Sequence, residues 1–222
     1  MKQFKLSKKE INYALFGLVL GDATYKNGII QVERQNAEKY YIEWLAKFSR
    51  QLRLSFQVIL TDGPDEYSSI QIRVPSRRHF ENNRMVTSHQ QKVASKYVLR
   101  RITPLGLFLW FMNAGIIHVS LKKQSVKRYG YLKTQIFNKN EHIQIQKMFR
   151  ERFQIETKLH TFQDEQGKDR YQIHFNATNL RKLIDIIRNY IPLVPPELRG
   201  KFSLQYMPVD EDDELAKKYN FE

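Results

Sequence analysis

Polar residues able to hydrogen-bond recur at alternate positions of several short segments: Gln31 and Glu33, Gln71 and Arg73, His118, Ser120 and Lys122, Lys133 and Gln135, Lys158 and His160, Gln172 and His174. In an extended chain every second side chain points to the same side, so each group shares a face. Arginine and lysine pair with guanine edges in the DNA major groove, and glutamine pairs with adenine. The intervening positions hold Ile30, Val32, Ile70, Ile72, Val74, Val119, Leu159, Ile173 and Phe175, an apolar face that must pack on helices. Any half-exposed antiparallel sheet alternates in this way. Its repetition in both halves of the chain, with Arg, Lys, Gln and His favoured, points to a surface that reads a groove.

Other chemistries have less support. There is no cysteine, which excludes disulfide staples, thiolate zinc sites, iron–sulfur clusters and a cysteine nucleophile, and points to a reducing compartment. The six histidines, His79, His89, His118, His142, His160 and His174, show no H-E-x-x-H or comparable metal spacing and read as polar-face or surface residues. Gly17 and Gly21 are followed by no G-K-[ST], so they form no phosphate loop. Zinc-finger spacing and basic-zipper heptads are absent too. Tyr25, Tyr67 and Tyr129 stand near turns, within reach of sugar or phosphate, and Trp44 and Trp110 fall among apolar neighbours as core residues.

The charge balance agrees with a polyanionic partner. Lys and Arg number 37 against 23 Asp and Glu, a net charge of +14, and 41% hydrophobic content is enough for a real core. From Asn82 to Asn140 there is no acid, while Arg84, Lys92, Lys96, Arg100, Arg101, Lys122, Lys123, Lys127, Arg128, Lys133 and Lys139 all fall there. An acidic run, Asp210 to Glu214, follows Pro208 and reads as a solvated tail or as an internal phosphate mimic. The start, MKQFKLSKKE, shows no signal peptide, and apolar runs such as Ala14 to Leu20 are far below the roughly 20 residues that span a bilayer. A soluble intracellular protein is expected, in a bacterial or phage cytoplasm or an organelle, with no membrane partner.

The elements that must position these residues come in a repeated order. Ser7 with Glu10 predicts a capping box that opens a helix running to Asp22, apolar almost all round and so central. Ala14, Gly17 and Gly21 would let another backbone come close. Strands are expected at Gly28–Arg34, Ser55–Leu60 and Ser69–Val74, with a helix at Ala37–Leu52 and a hairpin turn at Asp62-Gly63-Pro64. Thr103-Pro104 then announces a second apolar helix. Strands follow near Ile116–Leu121 and Gly130–Phe137, a helix near Asn140–Phe153, strands near Glu156–Phe162 and Arg170–Phe175 about an Asp164–Asp169 turn, and a helix from Ala177 to Tyr190. One α–β unit is used twice.

Leu15 to Ala23, LFGLVLGDA, resembles the LAGLIDADG motif of homing endonucleases, and Leu105 to Gly115, LGLFLWFMNAG after Ile102-Thr103-Pro104, resembles the second-motif entry of single-chain members. Tyr190-Ile191-Pro192 through Pro195-Pro196 to Lys201 resembles the end of the second half, so the likeness covers nearly the whole chain. It implies an α+β monomer, a pseudo-twofold pair of αββαββα halves with the motif helices central and an antiparallel β-saddle on DNA. The halves would be 1–97 and 98–207, with 208–222 as the acidic tail. The activity implied is hydrolysis of both strands of a long asymmetric double-stranded DNA site, with an acid at the base of each motif helix holding Mg²⁺ or Mn²⁺. Asp22 matches the first such metal ligand and catalytic residue. Lys92 or Lys96 in the first half, and Lys201 in the second, match the basic residues that assist water and phosphate.

The second motif departs from that pattern, with Ala114 at the acidic position and Asn113 before it. A methyl group ligates no metal, and the acid-free window offers no substitute. Three readings follow: an endonuclease scaffold that binds duplex DNA with cleavage impaired or reduced to nicking, an intron maturase working on structured group I intron RNA, and a non-cleaving DNA-binding regulator.

Overall fold

The computed structural model describes residues 6–35, 38–60, 66–81, 84–86, 91–122 and 125–202. The expected turn at Asp62-Gly63-Pro64 and the acidic tail lie outside them. Helix α1 (Lys8–Leu20) opens with the anticipated reciprocal cap, in which Ser7 accepts from the Glu10 amide and Glu10 accepts from the Ser7 amide. It stops at Leu20, which leaves Gly21 and Asp22 in the following turn. Strands β1 (Thr24–Lys26) and β2 (Ile29–Gln35), helix α2 (Lys39–Gln51), and strands β3 (Phe56–Ile59) and β4 (Tyr67–Arg73) complete the first unit. A short α3 (Lys96–Leu99) leads to the second: α4 (Pro104–Ala114), β5 (Gly115–Lys122), β6 (Ser125–Leu132), α5 (Lys139–Phe153), β7 (Lys158–Gln163), β8 (Asp169–Phe175) and α6 (Ala177–Ile187). A 3₁₀ turn at Arg188–Leu193 and α7 (Pro196–Arg199) follow.

Each unit forms one antiparallel four-stranded sheet, ordered β1-β2-β4-β3 in the first and β5-β6-β8-β7 in the second. The repeated order is the expected pseudo-twofold α+β architecture. Strand β1 has no counterpart in the expected elements, because three residues are too few to show a period. Strand β6 occupies Ser125–Leu132, five residues earlier than anticipated. Past Leu132 the chain turns inward: Thr134 is fully buried and bonds the Leu132 carbonyl and His142. Lys133 and Gln135 therefore lie beyond the sheet, not on its face.

The core is centred on α1 and α4, whose apolar side chains from Leu15 to Leu20 and from Leu105 to Met112 are buried. Trp44 and Trp110 are buried as expected. The two helices cross at backbone contact, and glycine is what permits it. A Cβ on Gly17 would lie 1.8 Å from the Gly106 carbonyl oxygen, and one on Gly106 would lie 2.8 Å from the Tyr13 carbonyl oxygen. Backbone cannot step aside as a flexible side chain does. Gly17→Ala is therefore expected to cost about 3 kcal/mol or more, read as a lowered thermal midpoint. No helix among the described residues is long and apolar enough to cross a membrane.

Candidate functional site

The outward face of the first sheet is held by cross-strand register. Gln31 pairs with Gln71, Gln71 with Gln57, and Ile29 with Arg73, which places Gln31, Glu33, Gln57, Gln71 and Arg73 on one side. Their amides are already ordered: Gln71 donates to Gln31 at 3.4 Å, and Gln31 donates to Glu33 at 2.6 Å. Ile30, Val32, Ile70 and Ile72 are fully buried on the other side. Gln57 belongs to this face by the same alternation, one strand over.

The second sheet shows a different chemistry. Register aligns His118 with Tyr129, Tyr131 with His174, His174 with Lys158, and His160 with Gln172. The rings touch one another: His118 stacks on Tyr129 at 5.3 Å, and Tyr131 lies 5.0 Å from His174 and 5.6 Å from His160. Ser120 and Lys122 hold in-register positions in β5. Sequence reasoning misses Tyr131 and sets Tyr129 near a turn, because β6 begins earlier than the pattern suggests. Burial corrects two further readings. His142 is not a surface residue but fully buried, with Thr134 and Asn138 on its two ring nitrogens. Tyr25 is 4% exposed and donates to Glu81. Tyr67 is exposed. His89 lies outside the described residues.

The ends of α1 and α4 meet between the two sheets. The Asn113 amide, buried in α4, donates to the Leu18 carbonyl of α1 at 2.9 Å. Its oxygen accepts from the Tyr41 hydroxyl and from Arg34, which also donates to the Asn113 backbone carbonyl at 3.1 Å. The Arg34 guanidinium stands 3.8 Å from the Asp22 carboxylate and 3.4 Å from Glu38. The Asp22 side chain is 47% exposed, whereas Arg34 is only 14% exposed. Ala114 is buried and lines, with Asp22, Arg34, Asn113, Lys133 and Lys201, a cavity of about 490 Å³. Arg34 is the residue that sequence reasoning passes over. A signal is there, since it continues the inward parity of Ile30 and Val32, where a charge demands buried partners.

One lysine caps each helix end. Lys92 donates to the Gly21 carbonyl at 2.7 Å and Lys201 to the Met112 carbonyl at 2.6 Å. Lys96 is exposed at the start of α3. Burial pushes both capping amines down to about 8, with the charge of Asp22 acting in the opposite direction on each. Arg34 also lowers Lys201. A folded value below the unfolded one means that the unfolded chain holds more protons above pH 8, so stability rises with pH from about 8 towards the ordinary lysine value. Lys92→Met or Lys201→Met is expected to flatten the rise in stability with pH, read as a thermal midpoint that no longer climbs between about pH 8 and about pH 10.

The donor set decides how a divalent metal would fit. Asp22 offers one half-exposed carboxylate, enough to hold one hard cation together with water and phosphate oxygens. The opposite end offers the methyl of Ala114, which holds none. Among the described residues no group of three His, Asp or Glu side chains converges as a metal cage.

The model of the LAGLIDADG DNA endonuclease family matches residues 12–183. Among solved structures, the homing endonuclease I-WcaI bound to its DNA recognition sequence is similar at 18% identity and a TM-score of 0.62, over 90% of this chain and 88% of that one. The LAGLIDADG homing endonuclease I-GzeII in complex with its DNA target gives 10% identity and a TM-score of 0.48, over 89% and 88%. Full-length DUF199/WhiA from Thermatoga maritima gives 12% and 0.49, over 89% of this chain and 59% of that one. A search of the curated proteins returned no match.

Proposed function

Because the chain belongs to the LAGLIDADG DNA endonuclease family, we propose that it binds a long asymmetric duplex DNA site across its two sheets, as a monomer, with double-strand hydrolysis impaired. The observation that carries this reading is the pairing of a half-exposed Asp22 at one helix end with the buried methyl of Ala114 at the other. The two outward faces support DNA as the partner: both are rich in groups that hydrogen-bond to base edges, on a chain of net charge +14. The I-WcaI structure, which shares the fold, holds its own DNA recognition sequence.

Asp22 is the residue that would hold a divalent ion, Mg²⁺ or Mn²⁺, and such an ion supplies an activated water and neutralises charge on the scissile phosphate. The other tasks fall to the chain itself. Lys92, fixed on the Gly21 carbonyl with its amine near 8, stands beside Asp22 as a group able to exchange a proton near neutral pH. Exposed Arg73 and Lys158 bring phosphates to the sheets. Hydrolysis is then confined to the strand lying on the Asp22 end.

The test is a selection of bound duplexes, followed by incubation of the selected site in a supercoiled plasmid with Mg²⁺ and with Mn²⁺. Specific duplex binding with nicked but not linear product is expected. Folded intron RNA outcompeting every duplex would overturn the reading in favour of splicing assistance, since the deep, narrow A-form major groove does not admit side chains to base edges.

A further inference from the structure

The two helix ends present a concentration of negative oxygens, the carboxylate of Asp22 and the backbone carbonyl and amide oxygen of Asn113, and the carboxylate of Glu38 joins them from the start of α2. Arg34 touches all four. Its guanidinium also lies over the Tyr41 ring, 4.9 Å from the centroid. Two helix C-termini facing each other carry partial negative charge before any side chain is counted. Lys92 and Lys201 take the Gly21 and Met112 carbonyls, and strand β2 adds a third cation, Arg34, on the side-chain oxygens.

Asn113 is matched to that arrangement. An amide can donate to the Leu18 carbonyl while accepting from Arg34, whereas an ionised aspartate there could only accept and would leave the Leu18 carbonyl facing a carboxylate. Thus Asn113 and Arg34 form one hydrogen-bonded unit bridging α1 and α4, and its remaining charge is directed at Asp22.

We propose that, in the protein free of DNA, Arg34 is a built-in cation of this junction that takes the position a divalent ion would otherwise fill between the two helix ends, so that Asp22 holds an ion only once a scissile phosphate adds its own oxygens. The inference rests on the reading of Asp22 and Ala114 as the scaffold's reaction centre. It assigns Arg34 a positioning role: it orients Asp22 and Asn113 and competes with metal for the same oxygens.

The test uses the whole protein without DNA, so that its failure is distinct from a failure to bind a duplex. Mn²⁺ uptake is followed by the loss of the free-ion electron paramagnetic resonance signal, and thermal melting is measured with chelator and with Mn²⁺ at matched ionic strength. The parent protein is expected to take up no stoichiometric Mn²⁺ and to melt at the same temperature in both conditions. Arg34→Gln is expected to melt about 4–10 °C lower in chelator. Mn²⁺ should restore part of that loss and bind at least about tenfold more tightly than to the parent, because a like charge has left the site. Asp22→Asn added to Arg34→Gln should remove the Mn²⁺ response. Arg34→Lys, which keeps the charge, should resist Mn²⁺ as the parent does. If Arg34→Gln does not fold, Mn²⁺ uptake by the parent and by Arg34→Lys decides between the outcomes. One Mn²⁺ bound per chain with Arg34 present, lost in Asp22→Asn, overturns the proposal. So does an Arg34→Gln protein whose melting ignores Mn²⁺.

Discussion

Ala114→Asp is expected to turn a protein that leaves plasmid DNA at most nicked into one that linearises it. The new carboxylate would not be an isolated buried charge, since the cavity beside position 114 is lined by Arg34, Lys133 and Lys201. It would place an acid at the end of α4 to match Asp22 at the end of α1. A metal-stabilised charge contributes several kcal/mol in the transition state, so linear product should rise by at least about 100-fold, and further when Arg34→Gln accompanies the change. Asp22→Asn should abolish Mg²⁺-dependent nicking in the parent and linearisation in Ala114→Asp, while binding stays nearly intact. Equal nicking by Asp22→Asn would remove Asp22 from the mechanism. A doubly acidic protein that binds its site and still does not linearise it would show that the loss of activity lies elsewhere than in position 114.

Binding should collapse with salt. If about 6–10 phosphates are neutralised, log K falls by on the order of 5 to 9 for each log unit of salt, a loss of about 10³–10⁵ in affinity between about 50 and about 200 mM. The net charge of +14 and the acid-free stretch from Asn82 to Asn140 motivate the size of the effect. Individual residues should separate by role. Lys158→Ala, which removes an exposed cation from β7, should lower the slope by about 1 and weaken all sequences alike. Gln71→Ala, inside the amide chain of the first sheet, should leave the slope alone and relax preference at one base pair by about 1–3 kcal/mol. A slope near zero in the parent protein is incompatible with phosphate-dominated binding.

Local pattern was enough for most of the architecture. The Ser7 and Glu10 cap, the Thr103 cap with Pro104 behind it, and the alternation that buries Ile30, Val32, Ile70 and Ile72 are short-range effects, set within two to four residues, and the structure contains each of them. The same order of elements written twice in the chain becomes the same strand order in two sheets. The resemblance pointed to the missing acid at Ala114, to Lys92 or Lys96, and to Lys201; the structure places Lys92 and Lys201 on the helix-end carbonyls and leaves Lys96 exposed. The errors fell where pattern is short or non-local. Strand β1 has three residues, β6 begins before its apolar alternation is clear, and Lys133 and Gln135 leave the sheet because buried Thr134 and His142 draw the chain inward.

What surrounds Asp22 was decided by tertiary packing alone. Arg34 and Asn113 lie far apart in the chain and meet only because Gly17 and Gly106 let α1 and α4 cross at backbone distance, bringing two helix ends within reach of Arg34 near the C-terminal end of β2. The sequence by itself determined which residue types stand at the ends of the two central helices, since propensity and alternation act along the chain. Which cation those ends share depends on how two distant helices and a strand close around one buried volume, and no local period encodes that.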